Sequence, residues 1–124
     1  VIEASRGNAD SIMETAGTDI RKIKSGTIKK SIDAGEESVL QIMKRSIYYL
    51  GVGVTSVVEL LAPEVVVLGG GLVEKMPELY LGGMKDAVHK YGSKALADGV
   101  DFRVAKKGDI AVAAGAASYA LERA

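Results

Sequence analysis

Between Glu36 and Gly71 three kinds of segment follow one another in an order that few folds accept. Val39, Met43, Ile47, Leu50, Val54, Val57 and Leu61 recur at steps of three and four, the spacing that gathers apolar side chains on one face of an α-helix. Glu36 and Glu37 suit the positive end of its dipole. Unbroken, this helix is about 39 Å long at 1.5 Å per residue. Gly51 and Gly53 lie inside it, each costing roughly 1 kcal/mol relative to alanine, so a bend or a close helix crossing is expected there. Pro63 ends the helix, because the residue before a proline is pushed out of the helical region. Glu64-Val65-Val66-Val67-Leu68 is β-branched and too short for a helix, and reads as a strand buried on both faces. It stops at Gly69-Gly70-Gly71.

After a short loop, Pro77 suits a first helical turn, and Leu79, Met84, Ala87, Val88 and Tyr91 continue a second helix to about Tyr91, weakened by Gly82-Gly83. Val100 to Ala105 alternates as a second strand, and Ile110 to Arg123 reads as a last helix with Asp109 as its N-cap. Residues Asn8 to Ala34 are polar and broken by Gly17 and Gly26, with Gly35 just beyond. They offer short helical pieces, one of them from Thr27 to Ala34 with Ser25 as N-cap. Helices alternating with strands over crossover-length connections imply parallel pairing in an α/β sheet. Two strands are few for such a sheet, so the chain reads as one domain, residues 1–124, forming the back part of a larger lobe.

Composition removes several functions. The 16 Lys and Arg balance the 16 Asp and Glu, giving no global attraction for nucleic acid or anionic membrane. No cysteine and a single histidine exclude disulfides, thiolate zinc sites, cysteine nucleophiles and His-rich metal sites within the chain. Glu59, Pro63 and Glu64 interrupt the apolar stretch from Leu50 to Val73 too early for a membrane span. With no secretory signal pattern, a cytoplasmic location is expected. The 15 glycines are in excess and have to be placed.

Gly69, Gly70 and Gly71 occupy the carboxyl end of a strand, where open α/β sheets bind ligands. Residues without Cβ let a flat or charged ligand approach the backbone and permit positive φ. The triplet is not a dinucleotide fingerprint, since Glu74 stands where the third glycine would fall, and it lacks the G-K-[ST] ending of a Walker A loop. Taken alone, it is more simply a tight strand-to-loop turn than a ligand site.

The phrase from Pro63 to Val73, with the later Gly108-Asp109-Ile110-Ala111-Val112-Ala113-Ala114-Gly115-Ala116-Ala117, resembles the tail of the ROK family (repressor, open reading frame, kinase), which includes glucokinases and other sugar kinases. The resemblance covers the chain from about Glu36 onward. It implies an actin-like, ribonuclease H-like two-lobed ATPase, of which this chain would be the helix-rich C-terminal lobe portion, with ATP and Mg²⁺ between the lobes. Gly69, Gly70 and Gly71 become the nucleotide-contacting residues, and Asp109 with Gly115-Ala116-Ala117 the helix packing beside them. The resemblance also implies a homodimer and a structural zinc whose ligands are not in this chain.

Sugar phosphorylation needs a general base and a phosphate-binding loop, which the family carries in its N-terminal lobe. Neither is found, so no catalytic or metal-binding residue is assigned and the isolated chain is expected to be inactive. Glu3-Ala4-Ser5-Arg6 is similar to the family stretch where a Glu touches sugar, but the spacing differs. Asp109 as a cap, Lys106-Lys107 as solvated surface, His89 as a surface or half-buried helix residue and the small-residue face of the last helix as packing against the sheet are the plainer readings. A sugar-sensing lobe of a ROK-type repressor, or an oligomerisation module built on the long helix, are the alternatives to a kinase. The sugar, and ATP against polyphosphate as donor, are left open.

Overall fold

A computed structural model describes residue 2 and residues 6–17, 19–106 and 108–123, without the Asp109 side chain. Glu3 and Lys107 therefore lie outside the described residues. In chain order the helices are α1 (Asp10–Ala16), α2 (Ser25–Asp33), α3 (Glu37–Leu61), α4 (Gly71–Lys75), α5 (Pro77–Tyr91), α6 (Lys94–Gly99) and α7 (Ala111–Leu121). The strands are β1 (Val65–Leu68), before α4, and β2 (Asp101–Val104), after α6. The architecture is α/β, with β1 and β2 parallel and Val65 opposite Asp101 through Leu68 opposite Val104. No helix among the described residues is long and apolar enough to cross a membrane.

The long helix forms where its periodicity places it, but its buried face differs from the expected one. Val39, Met43 and Ile47 are buried, and the stripe then continues through Gly51, Thr55 and Val58, leaving Leu50, Val57 and Leu61 exposed. The cause is a close crossing with α5. A Cβ on Gly51 would lie 2.5 Å from Ala87 Cβ, and one on Gly83 would sit inside contact distance of Ile47 Cγ2. Small residues win over large apolar ones because only they let two backbones come this near. Thr55 is buried there, its hydroxyl donating to the Gly51 carbonyl at 2.8 Å. The glycines of α3 and α5 thus divide: Gly51 and Gly83 make the crossing, while a Cβ on Gly53 or Gly82 meets nothing.

Helix α3 stops at Ala62, which adopts left-handed φ 44° and ψ 52° and donates its N–H to the Val58 carbonyl at 2.9 Å, just before Pro63. The first strand is not buried on both faces, as its composition suggests. Leu68 is buried and Val66 half-buried, whereas Val65 is exposed and Val67 is 60% exposed. In β2, Phe102 is buried and Asp101 and Arg103 point outward, the alternation of a sheet covered on one face. Met43, Ile47, Val58, Leu68, Met84, Val88 and Phe102 join that covered face to α3 and α5 in one core.

At the other end, Ala9, Ile12 and Ala16 of the α1 region pack on Val39. Glu36 binds this cluster together. Its carboxylate accepts the Ser11 N–H at 2.6 Å and the Ser31 hydroxyl. Burial pushes the Glu36 carboxyl up, and the donors from Ser31, Ser11 and Asp10 outweigh it, so the group lies below the ordinary glutamate range.

Three helix starts differ from expectation. Ser25 is the first residue of α2 and Lys24 its N-cap, without a side-chain cap bond. Asp109 lies inside a 3₁₀ turn, Gly108–Ile110, so the N-cap of α7 falls on Ile110. No short loop follows the glycines, because α4 begins at Gly71 itself. Helix α6 was not expected; its start is met by Glu59, which accepts the Ser93 N–H at 2.5 Å. The last helix does not pack its small residues on the sheet: α7 contains no buried residue, Val112 is 85% exposed, and a Cβ on Gly115 meets nothing.

Candidate functional site

The ends of the two parallel strands place two glycine turns side by side. Leu68 is the last buried residue of β1, and its carbonyl accepts the Ala105 N–H at 2.8 Å, which holds the start of the loop after β2 against the start of the loop after β1. Gly69 and Gly70 are exposed and Gly71 half-buried. Gly70 has φ 109° and ψ 160°, a conformation essentially closed to residues with a side chain. Its carbonyl accepts the Glu74 N–H at 3.0 Å, closing the first turn of α4.

The surroundings of the three glycines differ. A Cβ on Gly69 would touch Ala105 Cβ at 3.4 Å, one on Gly70 would meet nothing, and one on Gly71 would lie 3.3 Å from Ser25 Oγ. The open face is therefore at Gly70, with Ala105 and Ser25 as walls. Across the turn, Gly108 has φ 47° and carries the Glu74 carboxylate against it, a Cβ there lying 2.5 Å from Glu74 Oε1. Glu74 Oε1 is buried and has no hydrogen-bond partner among the described residues.

The glycines expected at a strand end thus stand there, in a conformation that requires glycine at one position. Ser25 and Glu74 are two side chains at this turn that the sequence reading did not assign to it. The spacing of Glu74 from Gly70 was visible, but the approach of α2 to α4 is a tertiary contact without a local signal. The segment Gly115-Ala116-Ala117 lies in α7, which has no buried residue, and a Cβ on Gly115 meets nothing, whereas the 3₁₀ turn that precedes α7 approaches α4. His89 is exposed on α5, its Nε2 3.6 Å from Asp98 Oδ1 and its Nδ1 2.9 Å from the Lys85 carbonyl, away from the glycines. Lys106 is exposed. A groove of about 440 Å³ between α3 and α5, flanked by Lys44, Tyr48, Asp86 and Tyr91, includes none of the glycine turn.

Chemically, the turn offers an accessible backbone, a neutral hydroxyl and a carboxylate. Among the described residues it holds no nucleophile paired with a base. No group of three or more His, Cys, Asp or Glu side chains converges as a metal site among the described residues.

The ROK family model matches residues 7–123 of this chain. The chain belongs to the ROK family. Its helices and parallel strand pair accordingly form part of an actin-like ATPase fold. A glucokinase of Halalkalibacterium halodurans is 34% identical over 77 residues, which make up 62% of this ROK chain and 23% of the glucokinase. The match thus spans about a quarter of that relative's length.

Proposed function

We propose that this ROK chain is the nucleotide-binding, C-terminal lobe portion of an ATP-dependent kinase acting on a glucose-like hexose, and that Gly69, Gly70 and Gly71 contact the nucleotide. The observation that carries the reading is Gly70: an exposed glycine at the carboxyl end of a parallel strand, held at φ 109° with nothing over its Cα. Gly7, Gly17 and Gly35 are equally open at turns of their own, so it is the family match over residues 7–123 that supports reading this open glycine as a ligand contact. The similarity to a glucokinase supports the choice of hexose and of phosphoryl transfer.

In this reading the chain supplies one wall of the cleft. No cluster among the described residues is built to hold Mg²⁺ unaided, so the metal would be held chiefly by the nucleotide phosphates and would supply charge neutralisation during transfer. The general base and phosphate loop belong to the other lobe, so the isolated chain binds nucleotide without phosphorylating sugar. The exposed face of β1 is covered in the complete cytoplasmic protein, which acts as a homodimer.

Isothermal titration with Mg·ATP tests the assignment. The chain is expected to bind, and Gly70→Val to lose binding, because a branched side chain can neither hold this φ nor leave the face open. Equal binding by both, or binding by neither, overturns the nucleotide role. Hexose phosphorylation by the isolated chain above a no-protein control overturns the division of labour.

A further inference from the structure

On α3, Ile42, Arg45, Tyr49, Val52, Ser56 and Glu59 follow one another at steps of three, four, three, four and three. This is the alternating spacing of a coiled-coil seam, and all six residues are exposed. Neighbouring rings brace it. Tyr49 meets Tyr48 edge-on at 5.3 Å between ring centres, the Arg45 guanidinium lies 5.9 Å from the Tyr49 ring centre, and the Tyr91 hydroxyl donates to the Tyr48 hydroxyl at 3.0 Å. Tyrosine and arginine are the side chains that interfaces favour, and bracing leaves them less freedom to lose on association.

The charges on the seam select its partner. Arg45 and Glu59 each stand seven residues from Val52, on the same face and about 10 Å along the axis to either side. A parallel copy of the helix would bring Arg45 to Arg45 and Glu59 to Glu59. An antiparallel copy turned about Val52 brings Arg45 to the partner's Glu59, twice over by symmetry. The neighbouring face with Leu50, Val57 and Leu61 is also exposed, but these three positions carry no charge that would select a partner.

We infer that α3 pairs with α3 of a second copy of this chain, antiparallel, with Val52 on the two-fold axis. The inference rests on the homodimer in the proposed function and not on its nucleotide site. Glu59 accepts the Ser93 N–H through one carboxylate oxygen, and the other is the acceptor for the partner's Arg45.

Cross-linking and sedimentation of the whole chain test the pairing. The sequence has no cysteine, so Val52→Cys introduces a single thiol. Under mild oxidation it is expected to give a disulfide-linked dimer, while Val57→Cys, on the neighbouring face, is expected to stay monomeric on non-reducing gels. In sedimentation velocity the wild type is expected to dimerise with rising concentration, and Arg45→Glu and Glu59→Arg each to lose about tenfold or more in dimer affinity. Mixed in equal amounts, these two variants are expected to recover pairing as a heterodimer, because both junctions then oppose unlike charges again. A wild type that stays monomeric overturns the inference and the homodimer together, whatever its titration with Mg·ATP shows. A wild-type dimer in which Val52→Cys does not link, or in which charge exchange neither weakens nor restores pairing, overturns this surface and leaves the homodimer standing. Val52→Cys decides the matter by itself where Glu59→Arg unfolds through loss of its bond to Ser93.

Discussion

Gly51 of α3 faces Ala87 of α5 so directly that a single added methyl on the glycine would stand 2.5 Å from the alanine Cβ. Two residues further along α3, Gly53 faces open space. The pair is an internal control for why glycine is present. Gly51→Ala forces the helices apart and is expected to destabilise by about 1–3 kcal/mol, while Gly53→Ala, free of contact, stabilises by roughly 0.5–1 kcal/mol. Urea unfolding of both variants checks the opposite signs. Gly83→Ala and Gly82→Ala on α5 should divide in the same way.

Ala62 ends α3 in the left-handed region that alanine rarely adopts. Glycine occupies this capping position without the Cβ penalty. Ala62→Gly is therefore expected to stabilise the chain by about 0.5–1 kcal/mol, after allowing for the greater freedom of glycine in the unfolded state, and the thermal midpoint reads it out. An unchanged or lowered midpoint would contradict the cap.

Glu36 makes the stability of the α1–α2 cluster depend on acid. Its carboxyl is held below the ordinary range in the folded chain, so the unfolded chain binds the proton more readily. The contribution is thus fully present above the unfolded value of about 4.3 and disappears as the pH falls through the lower folded value. Glu36→Gln should be less stable than the wild type near neutrality, with the difference shrinking between about pH 5 and pH 3. Unfolding midpoints across that range check it. Half-buried Asp19 and exposed Asp101, each lowered by a neighbouring arginine, titrate alike in both proteins and cancel in the comparison.

Phe102 is buried in β2 and belongs to the core shared with α3 and α5. Phe102→Ala is expected to cost about 3–5 kcal/mol, whereas Val67→Thr, on the exposed face of β1, should change stability by less than about 0.5 kcal/mol. Circular dichroism melts of the two variants report the asymmetry of the sheet.

The elements themselves were legible where a strong period met a clear stop. Helix α3, the strand before the glycines and α5 from Pro77 to Tyr91 all follow from spacing, proline and β-branching. What local pattern could not convey was which face is buried. Leu50, Val57 and Leu61 carry the stronger apolar signal, and the close approach at Gly51 and Ala87 overrides it. Val65 and Val67 read as core because they are valines, although their side of β1 has no cover among the described residues. Ser25 read as a cap because serine prefers such positions, but α2 begins one residue earlier than that requires. The glycine turn was recognisable from Gly69 to Gly71; its walls, Ser25 and Ala105, come from segments brought there by folding.

If the turn at Gly70 receives a nucleotide, its amides respond to one. The most direct measurement is the amide ¹H–¹⁵N spectrum of the chain during titration with Mg·ATP, in which glycine amides are well separated. Saturable shifts concentrated at Gly69, Gly70, Gly71, Ala105 and Gly108 are the expected result. Shifts absent from these residues, or centred instead on the groove between α3 and α5 around Tyr48 and Tyr91, would contradict it.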